Sequence, residues 1–204
     1  MSTTTTTAAL QGHEPHPNPQ NLTATDTPQT DQKKNPTSSP SKQKADYEPH
    51  PSSSVPLPAA HEQIVRSICA LYSGSASEAD MQVYARDAVY DDPFSFCDSR
   101  YKIAGQWYGI PKLFASSKTI KTETVASTPQ EIVFKLQQEY TPKLLRMSKA
   151  VNSLVSLTLD DEGKVKYHKD MWNEKDYDHQ GLGFTLKKLN GDKLTAITKP
   201  PQTL

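Results

Sequence analysis

The sequence is short of apolar residues, and the shortage is concentrated in its first part. Only 34% of the 204 residues are hydrophobic. Residues 1–60 contain ten of the sixteen prolines and a single aromatic residue, Tyr47. Such Ser/Thr/Pro-rich sequence buries too little apolar surface to offset the conformational entropy that is lost on ordering. We therefore predict a disordered tail over residues 1–58 and one domain over residues 59–204.

Neither net charge nor cysteine content points to a specialised partner. The 23 basic residues balance the 23 acidic ones, whereas nucleic-acid-binding domains usually carry a basic surplus, so we expect no nucleic-acid partner. Cys69 and Cys97 do not make a disulfide framework. No arginine precedes Arg66, so we expect no mitochondrial transit peptide. No apolar run approaches membrane-spanning length. We expect a cytoplasmic protein, with the nucleus as the alternative, and no membrane contact.

Apolar periodicity predicts helices first and strands afterwards. Residues 61–74 have the pattern of a helix that stops at Gly74, and a second helix is expected over residues 77–88, before a short strand. A third helix is expected around "GQWYGIPKLF". Alternating stretches then predict antiparallel strands, including a hairpin with its turn at residues 161–163, before a short helix that ends at Gly191. The fold class is therefore α+β, with helices packed on one face of a sheet.

The stretch "KVKYHKDMWNEKDY" combines a histidine, an aspartate and a tryptophan at alternating positions. In a strand, Lys166, His168, Asp170 and Trp172 share one face. Two interpretations of this face are open. It is either part of a chemical site, or a hydrogen-bonded plug or rim at a strand that borders water.

Three segments together resemble the nuclear-transport-factor-2-like (NTF2-like) superfamily, and its SnoaL-like branch in particular. They are "YARDAVYDDP", "GQWYGIPKLF" and "LTLDDEGKVKYHKDMWN", and the likeness covers about residues 60–178. The resemblance implies a cone-shaped domain in which a strongly curved antiparallel sheet wraps helices around a deep, mostly apolar pocket. It also implies isomerases, cyclases or lyases that use no metal or organic cofactor, alongside modules that only bind.

The resemblance also implies roles for individual residues. Asp170 would be the proton-transferring base and His168 its helper, since an apolar wall raises the pKa of a carboxyl from ~4 toward neutrality. The other expected pocket residues are six aromatic side chains and one acid: Trp172, Tyr84, Trp107, Tyr108, Phe134, Tyr140 and Asp91. The plainer interpretation is that the "D-D-P" pair ends a strand and that the tyrosines only pack.

Two functions follow from these observations. The leading interpretation is a SnoaL-like domain that binds a small apolar molecule and transfers a proton on it with Asp170 as base, without metal or cofactor. The alternative is a non-catalytic interaction module, whose open sheet face pairs with a partner or with a second copy in a homodimer.

Overall fold

The structure of the protein is a computed structural model, and it describes residues 46–144, 147–172 and 182–204. These residues belong to one compact unit that extends from Asp46 to Leu204. The predicted disorder of residues 1–45 lies outside the described part of the chain. The remainder of the predicted tail, residues 46–58, is described and belongs to the compact unit.

Residues 46–58 pack on the domain through both side-chain and backbone contacts. Tyr47 is buried, and the backbone N–H of Val55 donates to the carbonyl oxygen of Thr124 at 2.9 Å. Composition alone does not reveal these contacts, because they are made with residues far along the sequence. The compact unit therefore begins at Asp46, ahead of the predicted boundary at residue 59.

Two helices precede the sheet, and the second is shorter than the sequence predicts. Helix α1 (Ala59–Tyr72) ends before Gly74, whose φ of 82° suits glycine. Helix α2 (Glu78–Met81) is followed at once by strand β1 (Tyr84–Asp91), so the predicted continuation of the helix to residue 88 is wrong. The segment is a strand because it pairs with a strand that is distant in sequence, and such pairing overrides local helical periodicity.

A six-stranded mixed sheet forms the body of the domain. Its strands, in addition to β1, are β2 (Phe96–Cys97), β3 (Phe114–Thr128), β4 (Glu131–Pro142), β5 (Lys149–Leu159) and β6 (Val165–Trp172), in the order β2-β1-β6-β5-β4-β3. The predicted β5–β6 hairpin is confirmed, with Gly163 at a φ of 72° in its turn. The pair β1–β6 is parallel, which corrects the expectation of a wholly antiparallel sheet. No tight turn joins these two strands, so local sequence does not dictate their relative direction.

Three more α-helices complete the described structure, together with a 3-10 helix at Pro51–Ser53 that precedes α1. The three α-helices are α3 (Arg100–Trp107), α4 (Ile110–Leu113) and α5 (Leu182–Thr198). The predicted third helix is thus two helices, and the predicted stop at Gly191 is wrong because α5 continues past it. None of the described helices combines the length and the apolar character that crossing a membrane requires.

Helices α1 and α3 pack on one face of the sheet and enclose the core with it. The buried cluster joins residues from both helices to residues from β4 and β5, for example Ile68, Leu71, Trp107, Phe134 and Leu157. The α+β fold class is therefore confirmed. Because the helices cover this face, His168 and Asp170 of β6 are buried between helices and sheet. The alternation is interrupted near the start of β6, where a register shift against β5 leaves Val165 in the core and Lys166 exposed.

Gly191 permits close packing of α5 against β2, and its substitution by alanine tests this packing. An added Cβ would lie 2.2 Å from the carbonyl oxygen of Phe96. Helix propensity alone would make Gly191→Ala stabilising by about 1 kcal/mol, whereas the clash should make it destabilising by about 1–3 kcal/mol. We expect destabilisation, measured by chemical denaturation. Lys193→Ala, at an exposed position of the same helix, should change stability by less than about 0.5 kcal/mol.

Candidate functional site

Of the four residues that alternation places on one face of β6, His168 and Asp170 point inward and Trp172 is half-buried, whereas Lys166 is exposed. His168 and Asp170 are fully buried, with relative exposures of 0% and 1%. The Tyr72 hydroxyl of α1 reaches both of them, donating to Asp170 Oδ2 at 2.6 Å and lying 3.3 Å from His168 Nε2. The interpretation of this face as a border with water is therefore excluded for these two residues.

His168 links two tyrosine hydroxyls and carries no charge near neutral pH. Its Nδ1 lies 2.7 Å from the Tyr84 hydroxyl, and its Nε2 faces that of Tyr72. Burial lowers the pKa of His168 to about 3 because the charged imidazolium loses its solvation. A neutral imidazole has one donor and one acceptor nitrogen, so His168 serves as a hydrogen-bonded link in the core.

Asp170 is held by two aromatic donors. Its Oδ2 accepts hydrogen bonds from the Tyr72 hydroxyl and, at 2.8 Å, from Trp172 Nε1. Its Oδ1 is buried and has no hydrogen-bond partner among the residues that the structure describes. Burial raises the pKa of Asp170, although Tyr72, Trp172, Ser153 and the charge of Lys169 oppose that rise. The carboxyl is therefore an unusually basic group for an aspartate.

A second buried carboxyl, Asp92, lies directly after β1. Its Oδ1 accepts the backbone N–H groups of Phe94 and Ser95, at 2.7 and 2.6 Å, and its Oδ2 accepts the Tyr90 hydroxyl at 2.9 Å. The turn-forming role that the "D-D-P" pair suggests is thus real for Asp92. Burial, followed by the charge of Asp170, raises the pKa of Asp92 to about 7. The two buried carboxyls are therefore a pair in which the charge of Asp170 acts on Asp92.

A cavity of about 890 Å³ opens beside this pair. Aromatic side chains dominate its wall, among them Tyr72, Tyr90, Phe94, Trp107, Tyr140 and Trp172. Asp92 lines the cavity, whereas Asp170 and His168 are not among the lining residues and lie behind Tyr72 and Trp172. Its volume is in the range of pockets that hold small organic molecules.

The structure brings only some of the predicted pocket residues to the cavity. Trp107, Tyr140 and Trp172 line it, while Tyr84, Tyr108 and Phe134 do not. Tyr84 and Phe134 are fully buried in the core because helices α1 and α3 cover them. Periodicity identifies an inward-facing residue, but it does not distinguish a core contact from a cavity wall.

Asp91 lies on the opposite face of the sheet from the cavity, so its predicted place in the pocket is wrong. Its Oδ2 accepts from Lys169 Nζ at 2.7 Å, and its Oδ1 accepts from Lys187 Nζ. All three side chains are buried. Adjacent strand residues face opposite sides, and at the end of β1 it is Tyr90 and Asp92 that turn toward the cavity.

Sequence reasoning missed Tyr72 and Tyr90 as components of this site. Of the two acids in the "D-D-P" motif it chose Asp91 for the pocket, whereas Asp92 lines the cavity. The two tyrosines have the appearance of ordinary helix and strand core residues, and only their contacts with carboxylates distinguish them.

Other chemistries find little support in the described residues. Within residues 46–144, 147–172 and 182–204, no group of three His, Cys, Asp or Glu side chains is arranged to hold a metal ion. Burial raises the pKa of both the Cys69 and the Cys97 thiol to about 12, so neither forms the reactive thiolate near neutral pH.

Comparison with known proteins identifies the fold. No family model and no curated protein matches the sequence. The chain is similar to an NTF2-like protein from Anabaena variabilis, with 10% identity over 59% of this chain and 91% of that one and a TM-score of 0.50. This likeness agrees with the fold that the sequence resemblance predicts.

Two further solved structures are similar at lower TM-scores. One is a hypothetical protein from Catenulispora acidiphila with a ketosteroid isomerase-like fold, solved in complex with trimethylamine; the identity is 17% over 52% of this chain and 82% of that one, with a TM-score of 0.47. The other is a putative polyketide cyclase from Silicibacter, at 13% identity over 56% and 88% of the respective chains, with a TM-score of 0.48. At these identities no activity or ligand is transferred from them to this chain.

Proposed function

We propose that this protein, whose domain has the NTF2-like fold, binds a small apolar molecule in its cavity and transfers a proton on it, as a SnoaL-like isomerase, cyclase or lyase does. One observation carries the proposal: an aromatic-walled cavity of about 890 Å³ is lined by the buried carboxyl of Asp92, on which the charge of Asp170 acts from behind the wall. The aromatic wall supplies the apolar contact that binding requires. The carboxyl pair supplies a group that exchanges protons near neutral pH.

Within this proposal the two carboxyls have different roles. Asp92 lines the cavity and is the catalytic residue, because a base with a pKa of about 7 is half ionised at neutral pH. Asp170, the base that the sequence suggests, is a positioning residue behind the wall, where its charge raises the pKa of Asp92. His168 supports this arrangement by fixing Tyr72 and Tyr84.

Binding is tested with the neutral fluorophore N-phenyl-1-naphthylamine. We expect saturable one-site binding to the full chain, and a loss of at least tenfold in affinity on Val151→Trp, because Val151 lines the cavity and the larger side chain occupies it. Asn152→Trp, a neighbouring position that does not line the cavity, is the matched control and should bind as wild type does. Equal binding by both variants would exclude the cavity as the site.

Proton transfer is tested on 2-tetralone, an apolar ketone with acidic C–H groups, by following its deuterium exchange in D₂O by NMR. We expect the protein to accelerate exchange and Asp92→Asn to reduce that acceleration at least about 100-fold. Asp170→Asn should instead move the pH profile of exchange to lower pH, since the charge that raises the pKa of Asp92 is removed. Binding without any accelerated exchange would leave a non-catalytic binding module.

A further inference from the structure

We infer that the cavity selects organic cations, namely apolar amines whose ammonium group lies against Asp92 and the surrounding aromatic rings. This inference rests on the proposed function and specifies the class of molecule that the same site binds. Three features of the described residues lead to it: the direction of the polar hydrogens, the polarisation of the rings and the neutral partners of Asp92.

The polar hydrogens of three wall residues are directed at carboxylates. Tyr72 and Trp172 donate to Asp170, at 2.6 and 2.8 Å, and Tyr90 donates to Asp92 at 2.9 Å. These side chains line the cavity, but their O–H and N–H groups are already hydrogen-bonded to Asp170 or Asp92. An anionic ligand or an oxyanion is stabilised by such donors. Because these three donors are already hydrogen-bonded to carboxylates, this part of the wall binds an anion weakly.

The same hydrogen bonds make the rings better partners for a cation. A ring that donates to a carboxylate is polarised, because hydrogen bonds in a low-dielectric interior strengthen the charge separation of the groups that make them. The faces of aromatic rings already attract cations through their quadrupole, and tryptophan and tyrosine do so more strongly than phenylalanine. Trp172 also packs edge-on against Phe94, with ring centroids 5.3 Å apart, which joins two rings close to Asp92.

Asp92, the carboxyl that lines the cavity, has neutral hydrogen-bond partners. The described hydrogen-bond partners of Asp92 are a tyrosine hydroxyl and two backbone N–H groups. Asp170 lies behind the wall, where Tyr72, Trp172, Ser153 and the charge of Lys169 already stabilise its carboxylate, so the inference concerns Asp92. Lys169 and Lys187 bind Asp91 on the other face of the sheet, and the lining residue Lys149 is exposed. A buried carboxylate without a paired cation is costly because it has lost its hydration. A cationic ligand in the adjacent cavity therefore stabilises the carboxylate and is bound by it.

The test uses a matched pair of probes that differ by one atom, benzyltrimethylammonium and its uncharged isostere neopentylbenzene, with 4-tert-butylbenzoate as the anion. Each displaces N-phenyl-1-naphthylamine from the full-length wild-type chain. We expect the cation to bind at least tenfold more tightly than the isostere, although the isostere is more hydrophobic, and the anion to bind most weakly. This comparison needs no variant and therefore does not depend on a substitution that folds.

A variant identifies the charge that is responsible. Asp92→Asn should reduce the affinity for benzyltrimethylammonium at least tenfold and leave that for neopentylbenzene within twofold. The control is Asp98→Asn, which removes an exposed carboxyl that binds Lys102 and Lys188; it should change neither affinity.

The outcomes separate the inference from the proposed function. If neopentylbenzene binds as tightly as the cation or more tightly, or if the benzoate binds best, the inference of cation selectivity is overturned while binding in the cavity stands. If neither the fluorophore nor any of the three probes binds, both are overturned. Tighter binding of the cation that is lost in Asp92→Asn supports both.

Discussion

Asp91→Asn is expected to lower the free energy of unfolding by about 3–5 kcal/mol. The carboxylate of Asp91 lies between Lys169 and Lys187, and all three side chains are buried. Asparagine keeps the shape of the side chain but leaves two buried ammonium groups without their shared anion. The loss should appear as a lower midpoint in guanidinium or urea unfolding with an unchanged m-value.

The matched control for this variant is Asp98→Asn. Asp98 also binds two lysines, Lys102 at 2.6 Å and Lys188 at 2.5 Å, but its side chain is 38% exposed. Exposed ion pairs contribute about 1 kcal/mol or less, so this variant should be nearly neutral. Similar losses in both variants would contradict the idea that burial makes the Asp91 cluster important.

Acid should weaken the Asp91 cluster as well. Burial by itself raises the pKa of Asp91, but the hydrogen bonds and charges of Lys169 and Lys187 hold that pKa below its usual value. A carboxyl whose pKa is lowered in the folded state stabilises the protein above its unfolded pKa of ~4, and that stability is lost as the pH falls through the folded value. The difference between wild type and Asp91→Asn should therefore shrink in strong acid.

The second large effect is a change in the pH dependence of stability. Relative to wild type, Asp92→Asn should gain about 4 kcal/mol in free energy of unfolding as the pH rises from about 4 to about 7. The folded pKa of Asp92 is about 7, so wild-type protein must keep a proton that the unfolded chain has already released. Its stability therefore falls with rising pH across this interval, and asparagine removes that cost.

His168 contributes with the opposite sign over part of the same range. Its folded pKa is about 3, whereas an unfolded histidine titrates near ~6.5. Stability from this residue therefore rises with pH between these values, and it partly cancels the effect of Asp92 in the wild type. The measurement must accordingly compare variant with wild type at each pH.

His168→Gln serves as the control of opposite sign for this experiment. Relative to wild type, its stability should fall as the pH rises toward about 6.5, because the cost of keeping His168 neutral is absent from the variant. A difference between Asp92→Asn and wild type that does not vary with pH would mean that Asp92 is ionised in the folded state across the range. In that case its assignment as a base near neutrality would also fail.

Sequence periodicity and turn motifs predicted those features that depend only on residues close together in the sequence. The alternation along β6 predicted that Lys166, His168, Asp170 and Trp172 share a face, and His168 and Asp170 are buried together, although Lys166 is exposed. The glycine turn predicted the β5–β6 hairpin. Periodicity did not reveal the role of Lys187, which is buried against Asp91, because that contact joins residues 96 positions apart.

The sequence by itself determined the α+β class, the resemblance to the NTF2-like fold and the shared face of His168 and Asp170 in β6, since each depends on a local period or motif. Only the tertiary structure decided that Asp92 rather than Asp91 borders the cavity, and that Tyr72 and Tyr90 direct their hydroxyls at the carboxyls. Adjacent residues of a strand always face opposite sides. Which side becomes the interior depends on the parallel pairing of β1 with β6 and on the helices that cover the sheet, and those are contacts between segments far apart in the chain.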